Sequence, residues 1–359
     1  MSGLGDLVWN REQRRLRMVW RLLATTLLGL GAVLVFSTLA GVALGLLIAL
    51  LGEDSASVLR ALGLADMNAL VASPALLLVQ AVLMTGITLG VLWLAARFVD
   101  RRPFADYGLH LNRGWWLDLA FGLGLGALLM TLIFLTLWAM GWVEVVGFAH
   151  SNLPGVSWVA GLLASLVGFI GVGIYEELIS RGYLLENLAE GLRFPPLSSK
   201  VAVVLAWGIS SALFGVAHAT NPNATVISSF NLMVAGLLLG LGYVLTGELA
   251  LPIGLHITWN FVQGPVFGFP VSGLPPAAAL VQTVATGPEV WTGGAFGPEA
   301  GLLDLLSSLL GGLLIVLWVR RRRGVARLQE ELAEPPAPRG GEVYAAIGEE
   351  TPEHTGKTE

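Results

Sequence analysis

Long apolar runs separated by short charged stretches pattern the whole chain. A helix rises about 1.5 Å per residue, so roughly 20 mainly apolar residues cross the hydrocarbon core of a bilayer. Residues 22–52 contain no charged side chain. That run is longer than the apolar region of a signal peptide, about 7 to 15 residues, and reads as a retained span. Further runs lie at 68–96, 115–142, 157–185, 201–219, 226–246, 249–269 and 301–319. The pattern therefore predicts an all-α, polytopic integral membrane protein with about eight transmembrane helices.

Basic residues orient these spans. When the loops are numbered alternately, 19 of the 20 Lys and Arg residues fall on one side, and only Arg60 falls on the other. Both termini are thus expected in the cytosol, with an even number of crossings. Composition agrees: 55% of the 359 residues are apolar and 13% charged, with mean hydropathy +0.74, against about 25% charged in soluble domains. The absence of cysteine removes disulfides, thiolate nucleophiles and thiolate-ligated metals. Any chemistry must use carboxylates, imidazoles, amides or hydroxyls. Gly122, Gly124 and Gly126 follow no strand, so they read as close helix packing rather than a dinucleotide loop.

Ionisable groups inside spans are costly and are functional candidates by default. Asp118 and Asp304 lie near span ends, where interfacial exposure explains them as well as function does. Three sites resist that explanation. The fourth span carries Glu176, Glu177 and Arg181, the fifth ends in His218, and the seventh carries His256 and Asn260. Glu177 and Arg181 are four apart with the acid first, the favourable order for a helical ion pair. Glu176 lies about 100° round the helix from Glu177, which leaves it free for chemistry while Glu177 neutralises the arginine. His256 with Asn260, and Phe214 with His218, repeat the four-residue spacing. A carboxylate beside an imidazole in a low-dielectric cavity can hold and deprotonate water. Buried Glu and His also build proton relays, so a proton-coupled secondary transporter and a non-catalytic membrane scaffold are the competing classes.

The ordered set Glu176-Glu177-Leu178-Ile179-Ser180-Arg181, Phe214 to His218, and His256 to Asn260 resembles EExxxR, FxxxH and HxxxN of the CAAX protease and bacteriocin-processing family. Its best-known branch is the type II CAAX prenyl endopeptidase. The resemblance covers roughly 157–268. It implies peptide-bond hydrolysis within the bilayer, with Glu176 and His218 activating water and His256 and Asn260 stabilising the oxyanion. Glu177, Arg181 and Phe214 would support that site. It implies a catalytic cavity between spans four, five and seven and a membrane-embedded or lipidated peptide substrate, without carrying prenyl specificity over. No cofactor is favoured. The alternative is a metalloprotease whose zinc is held by Glu176, His218 and His256.

The expected organisation is a basic cytosolic N-terminus (1–21), three N-terminal spans (22–156), the catalytic membrane core (157–268), an external loop and last span (269–323), and a disordered acidic cytosolic tail (324–359). The tail carries eight Glu against three basic residues. The expected setting is the lipid bilayer of a bacterial or archaeal plasma membrane, with no nucleic-acid partner. A single site joining His218 to His256 requires tilted or broken helices, or a polar stretch 220–231 dipping into a wet cavity.

Overall fold

The computed structural model describes residues 4–52, 74–153 and 156–336. Arg60, the start of the second apolar run and the end of the acidic tail lie outside them. Among the described residues, seven helices are long and apolar enough to cross a membrane. They are built on α1 (Met18–Leu51), α2 (Pro74–Leu94), α3 (Arg113–Ala139), α4 (Trp158–Glu177), α6 (Ser199–Ala217), α7 (Val226–Thr246) and α9 (Leu302–Arg323). Helix α4 continues through a π-helical stretch, Leu178–Leu185, into α5 (Glu186–Leu192). The wider i→i+5 winding begins directly after Glu176 and Glu177, where such windings often mark functional positions.

Polar residues punctuate the apolar runs. Asn112, Ser157, Ser198 and Thr225 accept hydrogen bonds from the first-turn amides of Trp115, Ala160, Val201 and Ser228, capping α3, α4, α6 and α7. Gly247, at φ 69°, ends α7 in the left-handed conformation that glycine adopts without strain.

The seventh apolar run departs from expectation. It forms α8 (Ala250–Phe261), 12 residues long, followed by a π-helical turn, Val262–Val266, that contains Pro265. At 1.5 Å per residue α8 reaches about 18 Å, short of the roughly 30 Å hydrocarbon core. It is a helix buried by protein, packed against α3, α4 and α7, and its apolar composition reflects that burial. The chain still traverses the bundle here. Asn231 in α7 donates to the carbonyl of Gly301 before α9, and Arg323 at the end of α9 donates to Thr246 at the end of α7. Helices α7 and α9 therefore run parallel, and the segment between them must return. Gly122 and Gly126 permit the close approach of α3 to α8, since a Cβ on either would run into the Leu251 or Leu255 carbonyl.

Two small antiparallel sheets qualify the all-α expectation. The larger pairs β1 (Val143–Ser151) with β2 (Ala278–Ala285), from Val143↔Ala285 to Ser151↔Ala278, with a one-residue register shift between Val145 and Gly147; a two-residue pair, Trp9–Asn10 with Arg15–Leu16, precedes α1. Neither sheet closes. The tail expectation also changes over 324–336, because Leu332 and Ala333 are buried in the core and the Gln329 amide donates to the Val244 carbonyl. Two apolar side chains anchor this stretch despite its acidic surroundings.

At the same end as Thr246, a buried ionic cluster ties the N-terminus to the bundle. Arg15 and Arg21 meet Glu190 at 2.6 and 3.0 Å, and Arg102 pairs with both Glu186 and Glu190. Asp100 accepts from Tyr107 and Asn187 at 2.6 and 2.9 Å, and Tyr243 of α7 donates to Glu186.

Candidate functional site

The polar residues of α4, α6 and α8 converge on one cavity of about 1170 Å³, which Glu176, His218, His256 and Asn260 all line. Behind its wall lies the pair the helical spacing predicts: Arg181 Nη1 donates to Glu177 Oε1 at 2.8 Å, and both side chains are fully buried. Arg181 is further held by the Gly236 carbonyl and Ser180 Oγ, at 3.0 and 2.8 Å, and lies over the Phe214 ring at 4.6 Å. The guanidinium is thus neutralised by one carboxylate, and Glu176, the partly exposed neighbour, faces the cavity.

Glu177 also makes a second bond, which helical spacing does not predict. Its Oε1 also lies 2.8 Å from His256 Nδ1. A carboxylate fixing one imidazole nitrogen orients the other, and His256 Nε2 stands 4.0 Å from Glu176 Oε2. His218 is oriented differently, by a 2.8 Å contact between its Nδ1 and the carbonyl of Phe214. A carbonyl only accepts, so Nδ1 carries the proton and Nε2 of the neutral ring holds the lone pair. The Phe214 ring contacts both imidazoles. Its centroid distances of 4.9 Å to His218 and 6.0 Å to His256 together hold them within about 11 Å of each other, close enough to serve one bound peptide group.

Stretch 220–231 contributes less than expected. Only Asn221 of its polar residues lines the cavity, where it donates to the Ser272 carbonyl. Thr225 and Ser228 form a capping box, and Asn231 ties α7 to Gly301. Their polarity serves helix starts and loop anchoring. The zinc set is likewise not assembled: among the described residues no group of three His, Cys, Asp or Glu side chains is arranged to hold a metal ion. Glu176, His218 and His256 are not gathered as a ligand set in this arrangement.

The segment after α8 supplies cavity residues that sequence reading placed in an external loop or at an interface. Val271, Ser272, Glu299 and Asp304 all line the cavity. Glu299 is 4% exposed and accepts from the Ser272 amide and hydroxyl at 2.7 and 3.1 Å. Burial pushes its carboxyl above the usual carboxylate range, against the pull of those bonds and of nearby His218. Asp304 is fully buried rather than interfacial. No periodic signal marks Glu299, which sits in a glycine-rich loop. Asp118, the other span-end acid, pairs with Arg322 and accepts from Trp318 at the opposite end of α9.

Residues 157–262 match the family model described as Type II CAAX prenyl endopeptidase Rce1-like. That region holds α4 to α8 and all seven residues singled out by motif. No curated protein and no solved structure gives a match.

Proposed function

We propose, on the premise that residues 157–262 are a type II CAAX prenyl endopeptidase Rce1-like region, that the protein is an intramembrane endopeptidase whose water is activated by Glu176. The observation that carries this is the division between two adjacent carboxylates. Glu177 is consumed by Arg181 and His256, whereas Glu176 remains at the cavity wall, 4.0 Å from His256 Nε2.

In this reading a water donates one hydrogen to Glu176 and the other to the lone pair on His218 Nε2. Glu176 takes the proton as the oxygen attacks the scissile carbonyl. The Asn260 amide then donates to the developing oxyanion, joined by Nε2–H of His256 in its imidazolium form, whose Nδ1–H the Glu177 carboxylate holds; charge-directed donors in a water-poor site are worth several kcal/mol to such a transition state. Glu176 returns the proton to the amide nitrogen as the C–N bond breaks, which leaves a new carboxyl terminus and a free amine. Glu177 and Arg181 act through His256 and the helix rather than on substrate. Met84, Phe169, Leu213, Leu239 and Leu255 among the lining residues suit a membrane-embedded or lipidated peptide. The end gathering Arg15, Arg21, Arg102 and Arg323 is assigned to the cytosol by the bias of basic residues.

Cleavage of prenylated and unprenylated reporter peptides by purified protein in detergent tests the reading. Wild type should cleave at least one, Glu176→Gln should lower kcat by roughly 100-fold or more, and a strong zinc chelator should leave the rate unchanged. Full activity in Glu176→Gln would overturn the assignment of the base.

A further inference from the structure

One wall of the cavity carries an acid that the proposed hydrolysis does not use. Asp304, in the first turn of α9, has no exposed surface, and both its carboxylate oxygens are buried without a hydrogen-bond partner among the described residues. It nevertheless lines the cavity, together with Ser308 one turn on and with Glu299. A buried carboxylate with nothing to pair with is among the most costly groups a fold can hold. The positive end of the α9 dipole offsets only part of that cost.

Charge balance around the cavity points the same way. Among the described residues its lining holds three carboxylates, Glu176, Glu299 and Asp304, and no Lys or Arg. The basic residues nearest in the fold are engaged elsewhere: Arg181 is committed to Glu177 behind the wall, and Arg322 and Arg323 meet Asp118 at the far end of α9. Glu299 is already stabilised by Ser272 and Glu176 is the proposed base, so Asp304 is the carboxylate left with neither a partner nor a part in the hydrolysis.

We propose that Asp304, with Glu299 beside it, forms a cation-recognising subsite that holds a positively charged nitrogen of the peptide substrate. The shared chemistry is an ammonium or guanidinium group, supplied by a Lys or Arg side chain or by a free N-terminus. Such a group gives Asp304 the partner the fold withholds, and the low-dielectric walls strengthen the pairing. Peptides with a basic residue at the matching position would be selected over neutral ones of the same length and hydrophobicity. The subsite specifies which peptide the proposed endopeptidase takes, and in that sense it rests on the proposed function.

The test reads binding rather than turnover. Labelled reporter peptides, identical except for Lys or norleucine at successive positions and each with a free or acetylated N-terminus, are titrated into Glu176→Gln protein in detergent. Binding is followed by fluorescence anisotropy. At one position Lys, or else the free N-terminus, should tighten Kd by about tenfold or more, as expected when a buried charge gains its partner. Adding Asp304→Asn should bring that ratio to about one, and Asp304→Glu should keep it. Asp304→Asn is nearly isosteric and removes an unpartnered charge, so loss of the fold is not expected; Asp304→Glu provides the second reading. Equal Kd values for charged and neutral peptides, no binding of either, or a preference unchanged by Asp304→Asn would overturn the subsite. A charge-dependent Kd lost in Asp304→Asn, with no cleavage of any reporter by wild type, would sustain the subsite and remove the proteolytic reading instead.

Discussion

Replacing Glu177 with alanine removes one oxygen that two nitrogens share, Arg181 Nη1 and His256 Nδ1, each at 2.8 Å. At an effective dielectric of about 20, unit charges at that separation attract by roughly 6 kcal/mol before desolvation is counted. Both Glu177 and Arg181 are fully buried, so the relevant cost is that of stranding a buried cation, about 3–5 kcal/mol. Arg181 retains Ser180 Oγ, the Gly236 carbonyl and the Phe214 ring, which places Glu177→Ala toward the lower figure. Equilibrium unfolding in mixed detergent micelles, followed by the fluorescence of the 12 tryptophans, reads the loss directly. Glu177→Ala combined with Arg181→Leu should recover most of it, because an apolar replacement of a buried ion pair is often neutral. An unfolding free energy for Glu177→Ala within about 0.5 kcal/mol of wild type, the range of inert surface substitutions, would refute this account.

Other substitutions probe separate parts of the fold. Asp100→Ala removes the acceptor of Tyr107 and Asn187 and a 3.5 Å partner of Arg21; it should cost about 3–5 kcal/mol and hasten proteolytic cutting before α1, which limited digestion would detect. Gly122→Ala forces α3 away from the Leu251 carbonyl, whereas the position of Gly124 is open. The first should destabilise by about 1–3 kcal/mol and the second should be neutral or slightly stabilising, and thermal denaturation of the pair would separate them. Glu176→Gln should match wild type in that assay to within about 0.5 kcal/mol while losing cleavage, so equal losses of stability and activity would count against a chemical role.

The membrane class and most of the helix positions are written in the sequence because burying an apolar run in lipid needs no partner from elsewhere in the chain. Glu177 with Arg181 was legible for the same reason: a four-residue spacing fixes which side chains meet along one helix. Gly122 and Gly126 were legible as packing residues, though not the helix they pack against, whereas Gly124, read the same way, meets open space. Tertiary structure decided everything that depends on contacts between distant segments. Hydropathy alone could not tell that α8 is sheathed by protein rather than lipid, since both surroundings select the same residues. The β1–β2 pairing joins segments more than 100 residues apart, with no hairpin turn to announce it. The second bond on Glu177 required α8 to lie against α4, and the capping roles of Thr225 and Ser228 appear only once α7 has a defined start. Glu299 and Asp304 became cavity residues only because the chain after α8 folds back over the site. Local spacing can place two groups on one helix, but whether a buried acid finds a partner is settled by which other helices surround it.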